Sequence, residues 1–168
     1  MPNHCCNTLR ITGPKKWVKE FVKAVDKCPT VEEIGDFSHF DFEDLVPVPK
    51  ALRSDKPLVM SEEEHQWRVS NWGTKWIAYD TSGWQMHGGG KEATIFFLTA
   101  WSPPTSFLLQ ASPKFPKCVF ELNYAESGEC FCGYDIIQNG EAIESNQVEW
   151  NSKPGRKLRI ELIGNDDE

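Results

Sequence analysis

Two short motifs hold the residue types in this chain that are best suited to binding a ligand. The first is NWGTKWIAYD at residues 71–80, and the second is TAWSPP at residues 99–104. An indole ring offers a large apolar face for stacking and one N–H donor, while lysine and asparagine add polar contacts. The candidate residues for binding a ligand or a partner are Asn71, Trp72, Lys75, Trp76, Asp80, Trp101 and Tyr124.

The seven tryptophans also suit a structural role. Trp72 and Trp76 would then pack the end of a helix onto a sheet, and Trp101 would lie beneath a second helix. A core role for most of these rings is the favoured interpretation, and a contribution to a binding surface is the alternative. Asn71 and Lys75 are the expected polar contributors to such a surface.

No motif of a known catalytic class occurs in the sequence. The HGGGK segment at residues 87–91 has residue types that could cradle an anion, but a strand-like segment follows it where a phosphate-binding loop continues into a helix. A hairpin turn is therefore favoured over an anion site. Glu126, Glu129 and Asp80 could hold a metal or transfer a proton, although solvated loop acids are the favoured explanation. We predict no catalytic residue.

Six cysteines leave a metal site undecided. Cys130 and Cys132 would share one face of a strand, and Cys5 and Cys6 could approach them. Zinc sites usually combine C-x₂₋₄-C pairs, and that spacing does not repeat here. Free thiols that fill a core are the favoured interpretation, so we predict neither a metal nor a cofactor.

Charge and hydropathy restrict the classes of partner. The net charge of −7, from 18 basic and 25 acidic residues, disfavours general binding to nucleic acid but leaves room for a local basic patch. The apolar runs are too short to span a bilayer, and the N-terminus lacks the pattern of a secretory signal. We therefore expect a cytoplasmic protein without a membrane segment.

The N-terminal pattern predicts a strand followed by a helix. Residues 5–12 alternate as a half-buried strand does, with Leu9 and Ile11 on one face. Pro14 then starts a helix whose apolar stripe includes Phe21.

The middle of the chain predicts an inserted helix and two strands. Residues 29–73 form an insertion, in which Ser61 caps a helix that ends at Gly73. Residues 76–84 and 92–101 are expected to be strands. The second of these is densely apolar, which favours a place inside the sheet.

The C-terminal part predicts a short helix after Ser102 and a strand at residues 118–127. The Asn139–Gly140 dipeptide is a strong signal for a hairpin, and residues 157–163 alternate like a final strand.

This order of elements predicts an α+β fold. The expected architecture is a ferredoxin-like split β-α-β antiparallel sheet with helices on one face, plus an inserted helix and a C-terminal hairpin and strand extension. The domain would cover residues 1–144, and the extension would cover residues 145–168.

Five ordered motifs resemble a family of small proteins of uncharacterised function that phages, plasmids and other mobile elements encode. They are MPNHCCNTLRITGP, FDFEDLVPVP, NWGTKWIAYD, TAWSPP and FELNYAESGECFCG. The resemblance covers residues 1–144 and implies a ferredoxin-like domain and a mobile-element setting. It implies no catalytic residue.

These observations lead to three expectations about function. The first is a non-enzymatic binding protein of a phage or other mobile element, which acts on a host protein or defence pathway in the bacterial cytoplasm. The second is a nucleotide-like ligand bound in a cleft lined by aromatic rings and Lys75. The third is an enzyme or a nucleic-acid-associated protein, such as an RNA binder, that uses the open face of the sheet. The oligomeric state stays open.

Overall fold

One antiparallel sheet of six strands organises the chain. The computed structural model describes residues 3–27, 39–54 and 59–164. The strands are β1 (His4–Thr12), β2 (Gln85–His87), β3 (Glu92–Ala100), β4 (Val119–Glu126), β5 (Phe131–Gln138) and β6 (Glu141–Val148). The α-helices are α1 (Lys15–Val25), α2 (Glu62–Trp72), α3 (Thr105–Ala111) and α4 (Lys153–Leu162), and single 3₁₀ turns cover Lys50–Leu52, Gly88–Gly90 and Ser112–Lys114.

The strand order confirms the predicted fold class. The strands lie side by side in the order β2-β3-β1-β4-β5-β6, and β1 pairs antiparallel with both β3 and β4. The first four strands, with α1 and α3 as the connections on one face, give the split β-α-β arrangement. The predicted hairpin is also present, because Asn139 and Gly140 turn between β5 and β6 with φ of 49° and 81°.

The core lies between the sheet and the helices α1 and α3. Leu9 and Ile11 are fully buried on this face of β1, as the alternation predicts. A cluster of phenylalanine rings in edge-to-face contact fills the middle, with Phe40 and Phe97 at a centroid distance of 4.9 Å. Phe40 comes from the insertion, so the described part of that long connection does pack onto the domain. The insertion's predicted first ten residues and Cys28 lie outside the described residues.

Local caps fix the two ends of α2. The Ser61 hydroxyl accepts a hydrogen bond from the backbone N–H of Glu64 at 3.1 Å, and three glutamates occupy the first turn. At the other end Gly73 has φ of 84°, the left-handed conformation that ends helices. Both predicted boundaries of this helix are confirmed.

The prediction of a strand over residues 76–84 is wrong. This segment makes only one bridge, between Tyr79 and Leu98, and the short strand β2 starts after it. Asp80 and Gly83 have φ of 47° and 76°, and such left-handed residues interrupt a regular ladder.

The prediction of a final strand over residues 157–163 is also wrong, because most of this segment belongs to α4. The Ser152 hydroxyl caps the helix by accepting from the N–H of Gly155 at 3.1 Å, and a proline occupies its first turn. Leu158 and Leu162 are four residues apart, a spacing that suits a helix as well as alternation suits a strand. The sheet edge is formed instead by β6, which runs through the predicted boundary at residue 145.

Helix α4 covers the sheet face opposite α1 and α3, which corrects the expectation that all helices lie on one face. Cys6, Ala125 and Cys132 occupy matching positions on three adjacent strands, and their side chains point away from the main core. Leu162 of α4 packs onto Ala125 and Cys132 to form a second, smaller core. The rest of that sheet face carries polar residues such as Arg10 and half-buried apolar residues such as Phe96 and Leu98.

Candidate functional site

The two tryptophan motifs meet at the C-terminal end of β3. The hydroxyl of the buried Thr74 donates to the Ala100 carbonyl at 3.0 Å and accepts from the Ala100 N–H at 3.1 Å. The Ser102 hydroxyl donates to the Gly73 carbonyl. Residues that are almost thirty positions apart therefore form one locus, in which the end of α2 is tied to the turn that follows β3.

Gly73 is required at this junction for two reasons. Its φ of 84° favours glycine, and a Cβ atom there would lie 2.9 Å from the carbonyl oxygen of Pro103. The close approach of the two backbones places the residues that follow Gly73 beside Trp101.

Lys75 lies between two indole rings. Its Nζ atom is 5.0 Å from the centroid of Trp76 and 5.1 Å from the centroid of Trp101, within the range of cation–π attraction. His65 meets the edge of Trp101 at 6.1 Å, and Tyr79 meets the edge of Trp76 at 6.4 Å. We call these five residues the Lys75 cluster.

Trp101 has an unusual backbone for an exposed aromatic residue. Its φ is 69°, and 42% of its surface is exposed. A non-glycine residue in this region costs on the order of 1–3 kcal/mol, and such strain concentrates at binding and catalytic sites. The conformation is held by a hydrogen bond from the Trp101 N–H to the Asn3 carbonyl at 2.9 Å. The fold therefore sustains strain to present this ring on the surface.

The polar groups of the cluster differ in their surroundings. Lys75 contributes an ammonium group, whereas the Nε2 atom of His65 is buried and has no hydrogen-bond partner among the described residues. At the rim His4 Nδ1 and the Tyr79 hydroxyl are 2.7 Å apart. Burial, and then the charge of Asp80, raise the pKa of Tyr79 to about 12, so its hydroxyl keeps its proton at neutral pH.

The structure brings together three of the seven predicted site residues, Lys75, Trp76 and Trp101. Asp80 is exposed and lies next to Tyr79 in the chain, at the edge of the cluster. Asn71 is committed elsewhere, because its side-chain amide donates to the Trp67 carbonyl at 2.9 Å and its oxygen accepts from Gln110 at 3.1 Å. It ties α2 to α3.

Trp72 and Tyr124 do not belong to this surface, because both lie in the core. Trp72 is fully buried and its indole N–H donates to the Val46 carbonyl at 2.8 Å. Tyr124 is 8% exposed on the helix-covered face of β4. Neither ring can meet a ligand on the outside without a rearrangement of the core.

Sequence reasoning missed His65, Tyr79 and His4. They come from α2, from the loop after it and from the start of β1, so no periodicity along the chain relates them. Only the tie between the end of α2 and the turn after β3 brings them together.

The other candidate chemical groups have structural roles. Glu126 is 1% exposed, and its carboxylate accepts from the N–H groups of Gly128 at 2.6 Å and Glu129 at 2.7 Å, which stabilises the turn between β4 and β5. Burial raises the pKa values of the Cys5, Cys6 and Cys132 thiols.

Among the residues that the structure describes, no three His, Cys, Asp or Glu side chains group as metal ligands do. Cys130 is exposed and its thiol lies 3.4 Å from the Ser127 carbonyl. None of the described helices is long and apolar enough to cross a membrane.

The sheet order and the two helices on one face define an α+β protein of the ferredoxin-like class. Residues 71–161 match the family described as the ferredoxin-like domain in Api92-like protein, and both tryptophan motifs lie inside that range. Because the match spans more than half of the chain, the chain belongs to this family.

A solved relative has the same fold. The crystal structure of the protein Api92 from Yersinia pseudotuberculosis superposes with a TM-score of 0.53 at 13% sequence identity, and the alignment covers 88% of this chain and 98% of that chain. At this identity the likeness supports the fold alone. No curated protein matches the chain in sequence.

Proposed function

We propose that the protein is a non-enzymatic binding protein and that the Lys75 cluster is the surface that docks a partner protein. The observation that carries the proposal is the exposed Trp101 ring, held in a left-handed backbone conformation beside Lys75 and Trp76. Tryptophan residues supply a large share of the binding energy at protein interfaces.

The position of Lys75 favours a protein partner over a stacked small molecule. Its ammonium group already occupies the space between the two indole rings, where a base would have to stack. Small-ligand sites also enclose most of the ligand in a concave pocket, whereas Trp101 projects from a turn with 42% of its surface exposed. A partner surface that covers Trp101 from outside requires no displacement of Lys75.

The proposed setting is a phage or other mobile element, and the proposed partner is a protein of the bacterial host, met in the cytoplasm. The resemblance of the five motifs to proteins of mobile elements supports this setting. A small binding protein that modulates a host protein or a defence pathway fits such a setting.

The proposal is tested by affinity capture from a bacterial host lysate with matched variants. Trp101→Ala and Lys75→Ala remove the ring and the ammonium group of the cluster. Ile143→Ala is the control for the ring, since Ile143 is 63% exposed on β6. Lys117→Ala is the control for the lysine, because Lys117 makes a similar contact with Trp17 at 5.6 Å.

We expect a host protein that the wild type and both controls retain and that both cluster variants lose by tenfold or more. Its binding to the purified protein should then follow the same order in calorimetry. A partner that binds Trp101→Ala as tightly as the wild type would falsify the proposed surface.

A nucleotide-like ligand is the second candidate, and the exposed Trp101 ring beside the Lys75 ammonium group favours it, because a base could stack on the ring and the ammonium group could bind a phosphate. A thermal-shift screen with common nucleotides and cyclic nucleotides tests this version. It requires a rise in melting temperature that Lys75→Ala and Trp101→Ala both abolish, and a flat response across the set excludes it.

A further inference from the structure

A second charged site lies where the glycine turn between β2 and β3 meets α1. Gly88, Gly89 and Gly90 have φ of 55°, 66° and 93°, which allows a tight turn without side chains. A Cβ atom on Gly90 would lie 3.2 Å from Lys15 Cγ and 3.2 Å from Lys19 Cε. Both lysine stems therefore pass the same point of the turn, since Lys15 Cε also lies 3.4 Å from that Cβ atom.

These lysines have no acidic side chain within ion-pair distance in the part of the chain that the structure describes. Lys15, Lys19 and Lys91, which ends the turn, form no ion pair there, whereas Lys16 on the same helix pairs with Glu20 at 3.9 Å. The neighbouring acid Glu92 is bound to Arg10 at 3.0 Å. We call Lys15, Lys19 and Lys91 the basic pole.

The basic pole stands out against the charge of the whole molecule. The chain carries a net charge of −7, so an uncompensated group of three lysines is not a consequence of composition. Like charges four residues apart on a helix destabilise it by a few tenths of a kcal/mol. An anion bound between Lys15 and Lys19 would remove that repulsion.

We propose that the basic pole binds a phosphate group. A phosphate carries up to two negative charges and several acceptor oxygens, which can be shared between lysine ammonium groups. The glycines add no side chain that would keep a phosphate from the backbone, and nothing lies within 4 Å of a Cβ placed on Gly89. Two sources present this group, a free phosphate ester such as a mononucleotide and the backbone of a single-stranded nucleic acid.

This site is independent of the Lys75 cluster. Lys91 precedes β3 and Trp101 follows it, and the nine residues of β3 separate them by about 30 Å. A binding experiment that contradicts the proposal for one site therefore does not contradict the proposal for the other.

The test is an NMR titration of the ¹⁵N-labelled full chain with inorganic phosphate, thymidine monophosphate and a short thymidine oligonucleotide. Thymidine without phosphate is the ligand control. The double variant Lys15→Gln/Lys19→Gln removes two charges of the pole, and Lys16→Gln is the matched control on the same helix. All these side chains are exposed, so the substitutions leave the core unchanged.

We expect saturable shifts of the Gly88–Lys91 amide signals with phosphate compounds and none with thymidine. The double variant should lose at least tenfold in affinity, and Lys16→Gln should bind like the wild type. Saturation by the monophosphate identifies a free ester as the source, and saturation by the oligonucleotide alone identifies the nucleic-acid backbone. In the second case affinity should fall roughly tenfold between 50 and 200 mM salt, as two phosphate contacts predict.

Two results would overturn the proposal. One is the lack of saturation with all three phosphate compounds. The other is an equal loss in Lys16→Gln and in the double variant, which would mean that diffuse surface charge attracts the anion without a defined site.

Discussion

Trp101 combines a large exposed ring with a backbone conformation that most side chains avoid. The left-handed φ of 69° is maintained by neighbours on both sides, through the Asn3 carbonyl and through the hydrogen bonds of Thr74 with Ala100. Because the ring is 42% exposed, packing in the core does not account for the strained backbone, and this is the basis of the docking surface proposed above.

The backbone strain leads to a prediction about stability. In Trp101→Ala the left-handed conformation remains unfavourable, whereas in Trp101→Gly it is not. We expect the glycine variant to be more stable than the alanine variant by about 1 kcal/mol in urea denaturation. If the alanine variant is equally stable, the turn is not strained in solution.

Thiol reactivity should differ sharply between two cysteines. Burial raises the pKa of Cys118 to about 11, and its side chain is fully buried, so at pH 8 it is both inaccessible and protonated. Cys130 is exposed in the turn before β5. Maleimide labelling followed by peptide mapping should modify Cys130 at least tenfold faster than Cys118. Addition of urea should remove the difference, and equal rates without urea would contradict the burial.

At the scale of elements, α4 covers the part of its sheet face that Cys6, Ala125 and Cys132 form. Leu162 is 4% exposed and covers Cys132 and Ala125, which are both fully buried. Without α4 these positions would face water. The helix therefore acts as a cover for one end of the sheet.

Removal of the Leu162 side chain should loosen this cover. Leu162→Ala is expected to lower the free energy of unfolding by about 2 kcal/mol or more, because it leaves a cavity above Cys132. It should also speed the reaction of Cys132 with a thiol reagent under native conditions. Ile160→Ala is the control on the same helix, since Ile160 is 47% exposed, and it should change neither quantity appreciably.

Elements with strong local signals were predictable from the sequence. Ser61 caps the start of α2, Gly73 ends it, and Asn139–Gly140 forms a hairpin turn. These features could be predicted because caps and turns depend on neighbours in the chain. The strand prediction for residues 76–84 was wrong, because their apolar composition is typical of a strand. No local sequence signal indicates the left-handed backbone that Asp80 adopts.

The candidate site was predictable only in part for a related reason. Lys75, Trp76 and Trp101 stand in conspicuous motifs, so composition identified them. Whether an aromatic residue faces solvent or the core depends on tertiary packing, and Trp72 differs from Trp76 only in that respect. His65 carried no comparable signal.

For the molecule as a whole, the half-buried Tyr79 and the buried Tyr124 predict a loss of stability at alkaline pH. Burial is the main cause that raises the pKa values of Tyr79 and Tyr124 to about 12, against about 10 in an unfolded chain. Below pH 10 the two tyrosines contribute fully to the free energy of unfolding. Above pH 10 they lose their protons first in the unfolded state, so the free energy of unfolding falls until the pH reaches their folded-state pKa values near 12.

The measurement is urea denaturation between pH 9 and pH 12. The double variant Tyr79→Phe/Tyr124→Phe should show a shallower decline than the wild type. A decline of the same slope in the double variant would assign the alkaline sensitivity to other groups, such as the Cys118 thiol.

The central position of β1 has a consequence for biosynthesis. Leu9 pairs with Ile95 on one side and with Leu122 on the other, so β1 completes its pairing only after two later strands have been synthesised. Such long-range pairing slows folding, because a large loop must close before any contact compensates for the lost entropy. A nascent chain that stops before β4 leaves one edge of β1 uncovered, and an unpaired strand edge favours aggregation during synthesis.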